Sequence, residues 1–397
     1  MNEQRRHLRF INVAHFVDHY VLLIFPTVVL GLEIELQRSY GELIALSTAC
    51  FVAFGLFSLP SGWLGDHWSR RKMMAIFFLG CAASLAAAAM APNMIGLAVA
   101  LFALGVFASI YHPVGITVLV ANARDRGRDF ATNGVWGNLG VAFAPGITAL
   151  VAATLGWRAA FALPALVCAG IGVAYLAKTS ERGEKPADRA RIAEVPLSWT
   201  MAAWIFGFFA LVSFAGGLVF NILTVAVPKI VDERLVQDVP LALIGSVATV
   251  VLLFGGVAQL TVGRLVSRFP PHVLFAGIGI MQLVGIAWAT FASGPLLLLA
   301  LALSIAAIYA QVTVGDVVIA RYTADAWRGR IFAVRFFLAF ITSGLAVAAI
   351  AFLHGRGGFG LVLLLTTACA ALFAFAVGGI AVLAARIESG ARMQPAE

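Results

Sequence analysis

Apolar residues run along this chain in long blocks separated by short polar breaks. A helix needs roughly 20 residues to cross about 30 Å of hydrocarbon. Blocks of that length fall at residues 10–31, 42–64, 73–90, 95–120, 130–154 and 158–177, and again at 201–231, 240–265, 272–292, 295–320, 331–353 and 358–385. Turn-forming residues mark several of the breaks: Ala91-Pro92-Asn93, Ser293-Gly294-Pro295 and Gly355 to Gly358. The longest polar stretch, Lys178 to Ser198, mixes basic and acidic residues with Pro186 and Pro196 and reads as a linker. The pattern predicts an all-α integral membrane protein of twelve transmembrane helices. They form two six-helix halves, 1–177 and 201–397, joined by a cytoplasmic linker over 178–200.

Composition strengthens this reading. The chain is 61% apolar and 12% charged, where soluble domains are roughly half apolar and a quarter charged. So little charge cannot cover a surface in water, but an apolar surface suits lipid. The net charge of +8 is explained by topology. With the N-terminus inside, all but five of the 27 Lys and Arg fall on the cytoplasmic side; the five are Arg38, Arg158, Lys229, Arg234 and Arg356. Both termini are therefore expected in the cytoplasm, with the protein in the cell inner membrane. No basic stripe with interleaved aromatics lies outside those loops, so nucleic acid is not an expected partner. Cys50, Cys81, Cys168 and Cys369 lie in apolar runs without metal-type spacing and read as packing residues. The polar start and the long first run predict no cleavable signal peptide.

The halves repeat one another at an offset near 202 residues. Arg126-Gly127-Arg128-Asp129-Phe130-Ala131 is echoed by Arg328-Gly329-Arg330-Ile331-Phe332-Ala333, and Pro26 by Pro228. Gly62-Trp63-Leu64 has its counterpart in Gly263-Arg264-Leu265. A parallel duplication of six helices is a transporter construction, with the substrate site between the repeats near mid-membrane.

Ionisable residues inside apolar segments are costly and default to functional candidates. His15, Asp18 and His19 are spaced i, i+3, i+4 and share one helical face. At about 1.5 Å per residue, Asp18 lies about 12 Å into its segment. His112, in Tyr111-His112-Pro113, lies at similar depth in the fourth segment. Two uses are open to this set: a proton relay, which imidazole suits, or ligation of a metal, since i, i+4 imidazoles can share one ion. Interface or structural roles are the plain alternatives for His15, His112 and Asp316. The loop Gly62-Trp63-Leu64-Gly65-Asp66-His67-Trp68-Ser69-Arg70-Arg71-Lys72 offers a carboxylate to a neighbouring helix N-terminus, whose partial positive charge favours it. The fifth segment spaces small residues for close packing: Gly134, Gly137, Gly140, Ala144, then Pro145-Gly146.

Together these features resemble the major facilitator superfamily over nearly the whole chain. The 62–72 loop is similar to the family's signature loop, with His67 for its usual Arg and Ser69 for a Gly; Ser267 replaces the Asp in the second copy. The resemblance implies that Gly62, Asp66, Arg70 and Arg71 form a conformational latch. It also implies a central cavity lined by segments 1, 4, 7 and 10, which adds Asn221, Tyr309, Gln311 and Asp316 to His15, Asp18, His19, Tyr111 and His112, with Arg335 as a cationic contact near the inner face. Gly140 to Pro145 is similar to the antiporters' Gly-x-x-x-Gly-Pro motif, with Ala144 for the second Gly. His15-Phe16-Val17-Asp18, Tyr111-His112-Pro113 and Asn138-Leu139-Gly140 resemble the fosmidomycin-resistance-like exporters. The chain departs from multidrug antiporters in having Gly105 where they carry an Arg, and Glu33 and Glu35 only at the outer end of the first segment.

The resemblance implies a monomeric, proton-coupled exporter of a small molecule, working by alternating access in the lipid bilayer and needing no cofactor. A metal or metal-chelate transporter is the second expectation. An integral-membrane enzyme is disfavoured by the short loops and the lack of a nucleophile–base motif.

Overall fold

The computed structural model describes residues 3–123, 125–180, 199–235, 239–322 and 325–392; most of the expected 178–200 linker lies outside them. Among the described residues the chain is entirely helical, without strands. The first half comprises α1 (Glu3–Leu36), α2 (Tyr40–His67), α3 (Arg70–Ala89), α4 (Met94–Asn122), α5 (Arg126–Leu155) and α6 (Trp157–Lys178). The second begins with α7 (Trp199–Arg234), α8 (Leu241–Leu265), α9 (Pro271–Phe291) and α10 (Gly294–Tyr322).

The last helical stretch, Asp325–Arg392, has 68 residues. A continuous helix of that length would be about 100 Å long, more than three times the hydrocarbon thickness. It is two helices, α11 (325–356) and α12 (359–392), joined at Gly357-Gly358, where Gly358 takes φ +59°. Eleven stretches meet the length and hydropathy needed for a span; with the last divided at its kink, they make the twelve expected helices.

Local chemistry sets the boundaries. Ser39 and Glu42 form a capping box at the start of α2. The side chains of Ser69, Asn93 and Asp125 accept bonds from backbone N–H groups in the first turns of α3, α4 and α5. The first helix starts seven residues before the expected position. There Arg6 donates to the Lys178 carbonyl at 2.6 Å and His7 packs edge-on against Tyr175, docking the extension on α6. Within α4, Tyr111–Gly115 winds as a π-turn around Pro113, which has no N–H to give to the helix ladder.

α1 and α7 occupy equivalent central places. Residues Tyr20 to Leu30 of α1 and Ile222 to Val231 of α7 are buried around the full helix circumference, as expected for helices with protein on all sides. The outer helices instead expose large apolar side chains such as Ile95, Val99, Leu166, Ile280 and Phe375, the surface a bilayer requires. The four cysteines are buried and unpaired.

Among the described residues, polar contacts join the halves along three helix pairs. α5 faces α8, with Gly146 N–H donating to Thr249 Oγ1 at 3.0 Å and Asn138 donating to Gln259. α2 faces α11, with Ser343 Oγ donating to the Phe51 carbonyl at 3.2 Å. α1 faces α7 through Glu33 and Lys229. Among the described residues these bonds lie at mid-helix or toward the end where α1 finishes at Leu36, away from the chain termini.

Candidate functional site

Helices α1, α4 and α5 converge on one polar cluster. The i, i+3, i+4 spacing carries His15, Asp18 and His19 on one face of α1. The π-turn at Pro113 sets Tyr111 and His112 of α4 against that face. Gly137 of α5 leaves space for the His15 ring: a Cβ there would stand 2.5 Å from Nε2. Gly140 likewise lets the α5 backbone lie directly on the Phe16 carbonyl. Gly62 of α2 packs against Pro113 from the other side, so one residue of the expected latch supports the turn that carries His112. Pro145 is the α5 residue whose carbonyl meets Gly245 of α8.

The rings form a compact array. His15 stacks on Tyr111 with centroids 4.8 Å apart and lies 5.0 Å from His19 and 5.6 Å from His112. His19 and His112 are 5.5 Å apart. The Asn133 carbonyl can only accept, so His15 Nδ1 donates to it at 2.8 Å. The neutral His15 ring therefore carries its lone pair on Nε2, and His19 Nε2–H donates to it at 3.2 Å.

Asp18 is 0% exposed, with Oδ2 lying 3.3 Å from His112 Nε2. Neither carboxylate oxygen makes a further polar contact among the described residues. His112 is 23% exposed, so a fully enclosed carboxylate is joined to a partly exposed imidazole. The two groups are close enough for a proton to pass between them. His15, His19 and His112 also place one potential ligand atom each within 4.8 Å of one another.

Asn133 is the hub of this cluster, and the motif-based reading does not find it. Besides the His15 bond, it accepts from Tyr111 OH at 3.1 Å and donates to Asn12 Oδ1 at 3.0 Å. Its sequence signal is an amide at the start of an apolar run, two residues past the Arg126–Ala131 repeat. Its four partner residues, the fourth being Ile11, whose carbonyl accepts from Asn133 at 3.4 Å, lie on two other helices, which no local pattern reports.

The second-half candidates stay apart from the cluster. Tyr309 is buried against Gly255 and the Phe220 ring. Gln311 donates to the Gly216 carbonyl at 3.3 Å, and Asn221 to the Gly217 carbonyl at 2.8 Å. Asp316, 51% exposed, pairs with Arg335 of α11, so the cation expected near the inner face is already matched by an acid.

Two of the signature-loop contacts lie within the first half. Asp66, 61% exposed, pairs with Arg70 in the first turn of α3 at 3.0 Å. Arg71 donates to the carbonyls of Thr179 and Leu176, tying α3 to the end of α6. Ser267, in the second copy, donates to its own loop at the Arg264 carbonyl.

A second charged group sits at the opposite end of the bundle. Lys229 Nζ lies 2.5 Å from Glu33 of the other half and 2.8 Å from Asp232. Glu233 lies 3.7 Å from Lys229 and 2.7 Å from His354 Nε2, and His354 packs edge-on against Tyr40 of α2. From the sequence, Lys229 reads only as a topology marker and Glu33 as a residue at the outer end of the first segment. Together they tie the halves across α1, α2, α7 and α11.

Known proteins resemble this chain at two levels. The profile of the Major Facilitator Superfamily matches residues 11–235. An MFS-type transporter of Bacillus subtilis (strain 168), YfnC, is 25% identical over 147 residues, covering 37% of this chain and 36% of that protein. The probable L-galactonate transporter of Escherichia coli (strain K12) is 27% identical over 156 residues, covering 39% of this chain and 34% of that protein. The similarity thus spans about a third of the length of these curated relatives. Among solved structures, an inward-facing, unoccupied bacterial homolog of the human lysosomal transporter Spinster superposes with a TM-score of 0.74 at 13% identity, covering 100% of both chains. A D-xylose–proton symporter gives 0.74 at 12% identity, covering 95% of this chain and 97% of its own. At such identity the likeness is one of fold.

Proposed function

Since the chain belongs to the major facilitator superfamily, we propose that this transporter is a proton-coupled exporter of a small molecule, with His15, Asp18, His19 and His112 as its coupling site. The observation carrying this reading is the fully enclosed Asp18 carboxylate against His112. A charge held without water is costly unless it is paired or neutralised. A carboxylate–imidazole pair meets that requirement in either protonation state, and access through His112 lets the proton leave. Tyr111 and Asn133 hold the array in place, so proton movement needs no reorganisation of the helices that carry it.

In this reading the termini and the 178–200 linker are cytoplasmic, the membrane is the cell's inner one and the working unit is a monomer. The Glu33–Lys229 bridge then closes the outer side, and alternating access requires it to break while the Asp66 loop engages. Export is supported by the likeness of the α1 and α4 motifs to exporters.

Asp18→Asn tests the coupling. Substrates are first found by a thermal-shift screen of the purified protein with antibiotics and amphiphiles, since a ligand of the native state raises apparent stability. The variant should lose accumulation against a gradient in proteoliposomes and keep downhill counterflow. Retained accumulation removes Asp18 from coupling; loss of counterflow as well makes it a substrate or structural group. Topology is tested separately, in a parent stripped of native cysteines. Arg38→Cys should react with an impermeant thiol reagent in whole cells, and Asp66→Cys only after the membrane is opened. The reverse pattern inverts the orientation.

A further inference from the structure

We infer that His15, His19 and His112 form a binding site for one divalent transition-metal ion of the zinc class. The binding site stands on its own geometry; its identification as a cargo site rests on the transporter reading above. In tetrahedral zinc coordination, with Zn–N of 2.0–2.1 Å, neighbouring nitrogens stand about 3.3 Å apart. The Nε2 atoms of His15 and His19 are already 3.2 Å apart, and the three ligand atoms all lie within 4.8 Å of one another. Closing the longest separation by up to about 1.5 Å completes the triangle.

The surroundings of the rings are those of ligands. His15 gives its Nδ1–H to the Asn133 carbonyl, the usual partner of a metal-bound imidazole, and this leaves Nε2 as the donor atom. Asp18 lies against His112, as a carboxylate does in a carboxylate–histidine–metal arrangement. Its burial places a negative charge behind the site without occupying a ligand position. His19 spends its Nε2–H on His15. On metal binding that hydrogen is exchanged through water for one on Nδ1, so Nε2 gains a lone pair and the ring stays neutral.

Three imidazoles favour zinc, cobalt, nickel or copper over magnesium or calcium, which take oxygen ligands. Three ligands also leave a fourth position open. It can take water, with the bare ion as cargo, or a donor atom from an organic chelator. All three residues are partly exposed.

The test uses the full-length protein, purified without a histidine tag and kept in lipid nanodiscs. Titration with CoCl2 should give one bound ion per chain, with the visible absorption of four-coordinate Co2+, displaced by ZnCl2 and unaffected by MgCl2. His15→Gln, His19→Gln and His112→Gln should each weaken binding at least 10-fold, while His354→Gln at the opposite end should not change it. Size-exclusion profiles confirm that each variant is folded. Titration with Co2+–citrate separates a chelate from the bare ion. Tighter binding of the complex at the same three histidines makes the chelate the ligand.

Absence of stoichiometric binding to the folded protein overturns the proposal, as does binding that survives all three substitutions. The proton reading fails independently. If no metal binds while Asp18→Asn still uncouples transport, only the metal site is wrong. If Co2+ binds while Asp18→Asn still accumulates substrate, only the proton coupling is wrong.

Discussion

At the 202-residue offset set by Arg126/Arg328 and Pro26/Pro228, the two halves place different chemistry in the same positions. His15, Asp18 and His19 of α1 correspond to Gly217, Phe220 and Asn221 of α7. Asn133 corresponds to Arg335, and Gly137 and Gly140 to Ala339 and Thr342. In the first half, Gly137 on α5 makes room for His15 on α1. In the second the relation is reversed: Gly217 on α7 makes room for Thr342 on α11. Both solutions bring the two helices together. Only the first sets a histidine cluster with a fully enclosed carboxylate at the close approach. The duplicated scaffold fixes where helices meet, and the residue that fills the close approach decides whether that meeting is chemical or only structural.

The largest effect expected from this contrast is at Gly137. A Cβ at this position clashes with His15, so Gly137→Ala should lower stability and abolish accumulation of substrate. Adding His15→Ala should restore the melting temperature without restoring accumulation. Recovery of both in the double variant would make the first-half contact as purely structural as its counterpart.

Lys229→Gln comes next. It leaves Glu33, Asp232 and Glu233 without their shared cation, although Glu233 keeps His354. Breaking a buried ion pair costs about 3–5 kcal/mol, and the low end applies because these acids are 21–30% exposed. The loss falls at the end of the bundle proposed above to be the outer one, so cysteine labelling at Tyr40 should rise several-fold in the variant. Unchanged labelling would show that α2 and α11 hold that end shut without the charges.

The smallest effect is expected in the second half. Gly217→Ala overpacks against Thr342 and should cost about 1–3 kcal/mol. Thr342→Ala should recover both stability and transport in the double variant. If transport stays lost while stability returns, the second half has a chemical role at this contact after all, and the contrast between the halves weakens.

Much of this was legible in the chain itself. Twelve apolar blocks of spanning length could be read directly, because hydrophobicity summed over one helix decides whether lipid accepts it. Their ends were visible in Ser69, Asn93 and the Gly357-Gly358 pair, which act on adjacent backbone. The shared face of His15, Asp18 and His19 follows from helical periodicity, and Tyr111-His112-Pro113 stood out as polar and helix-disturbing. All of these are local properties, complete within a few turns.

The partners were not legible. Asp18 and His112 are 94 positions apart, and nothing along α1 says which helix packs against its polar face. Asn133 bonds to groups on α1 and α4. Lys229 reads as one more basic residue until the fold sets Glu33 beside it. Asp316 and Arg335 resembled two separate cavity residues and are one ion pair. Hydrogen bonds and ion pairs depend on distances of a few ångströms between segments, and packing alone sets those distances. The sequence determined the helices, their number and the residues able to carry charge; the tertiary structure decided which of those residues face one another.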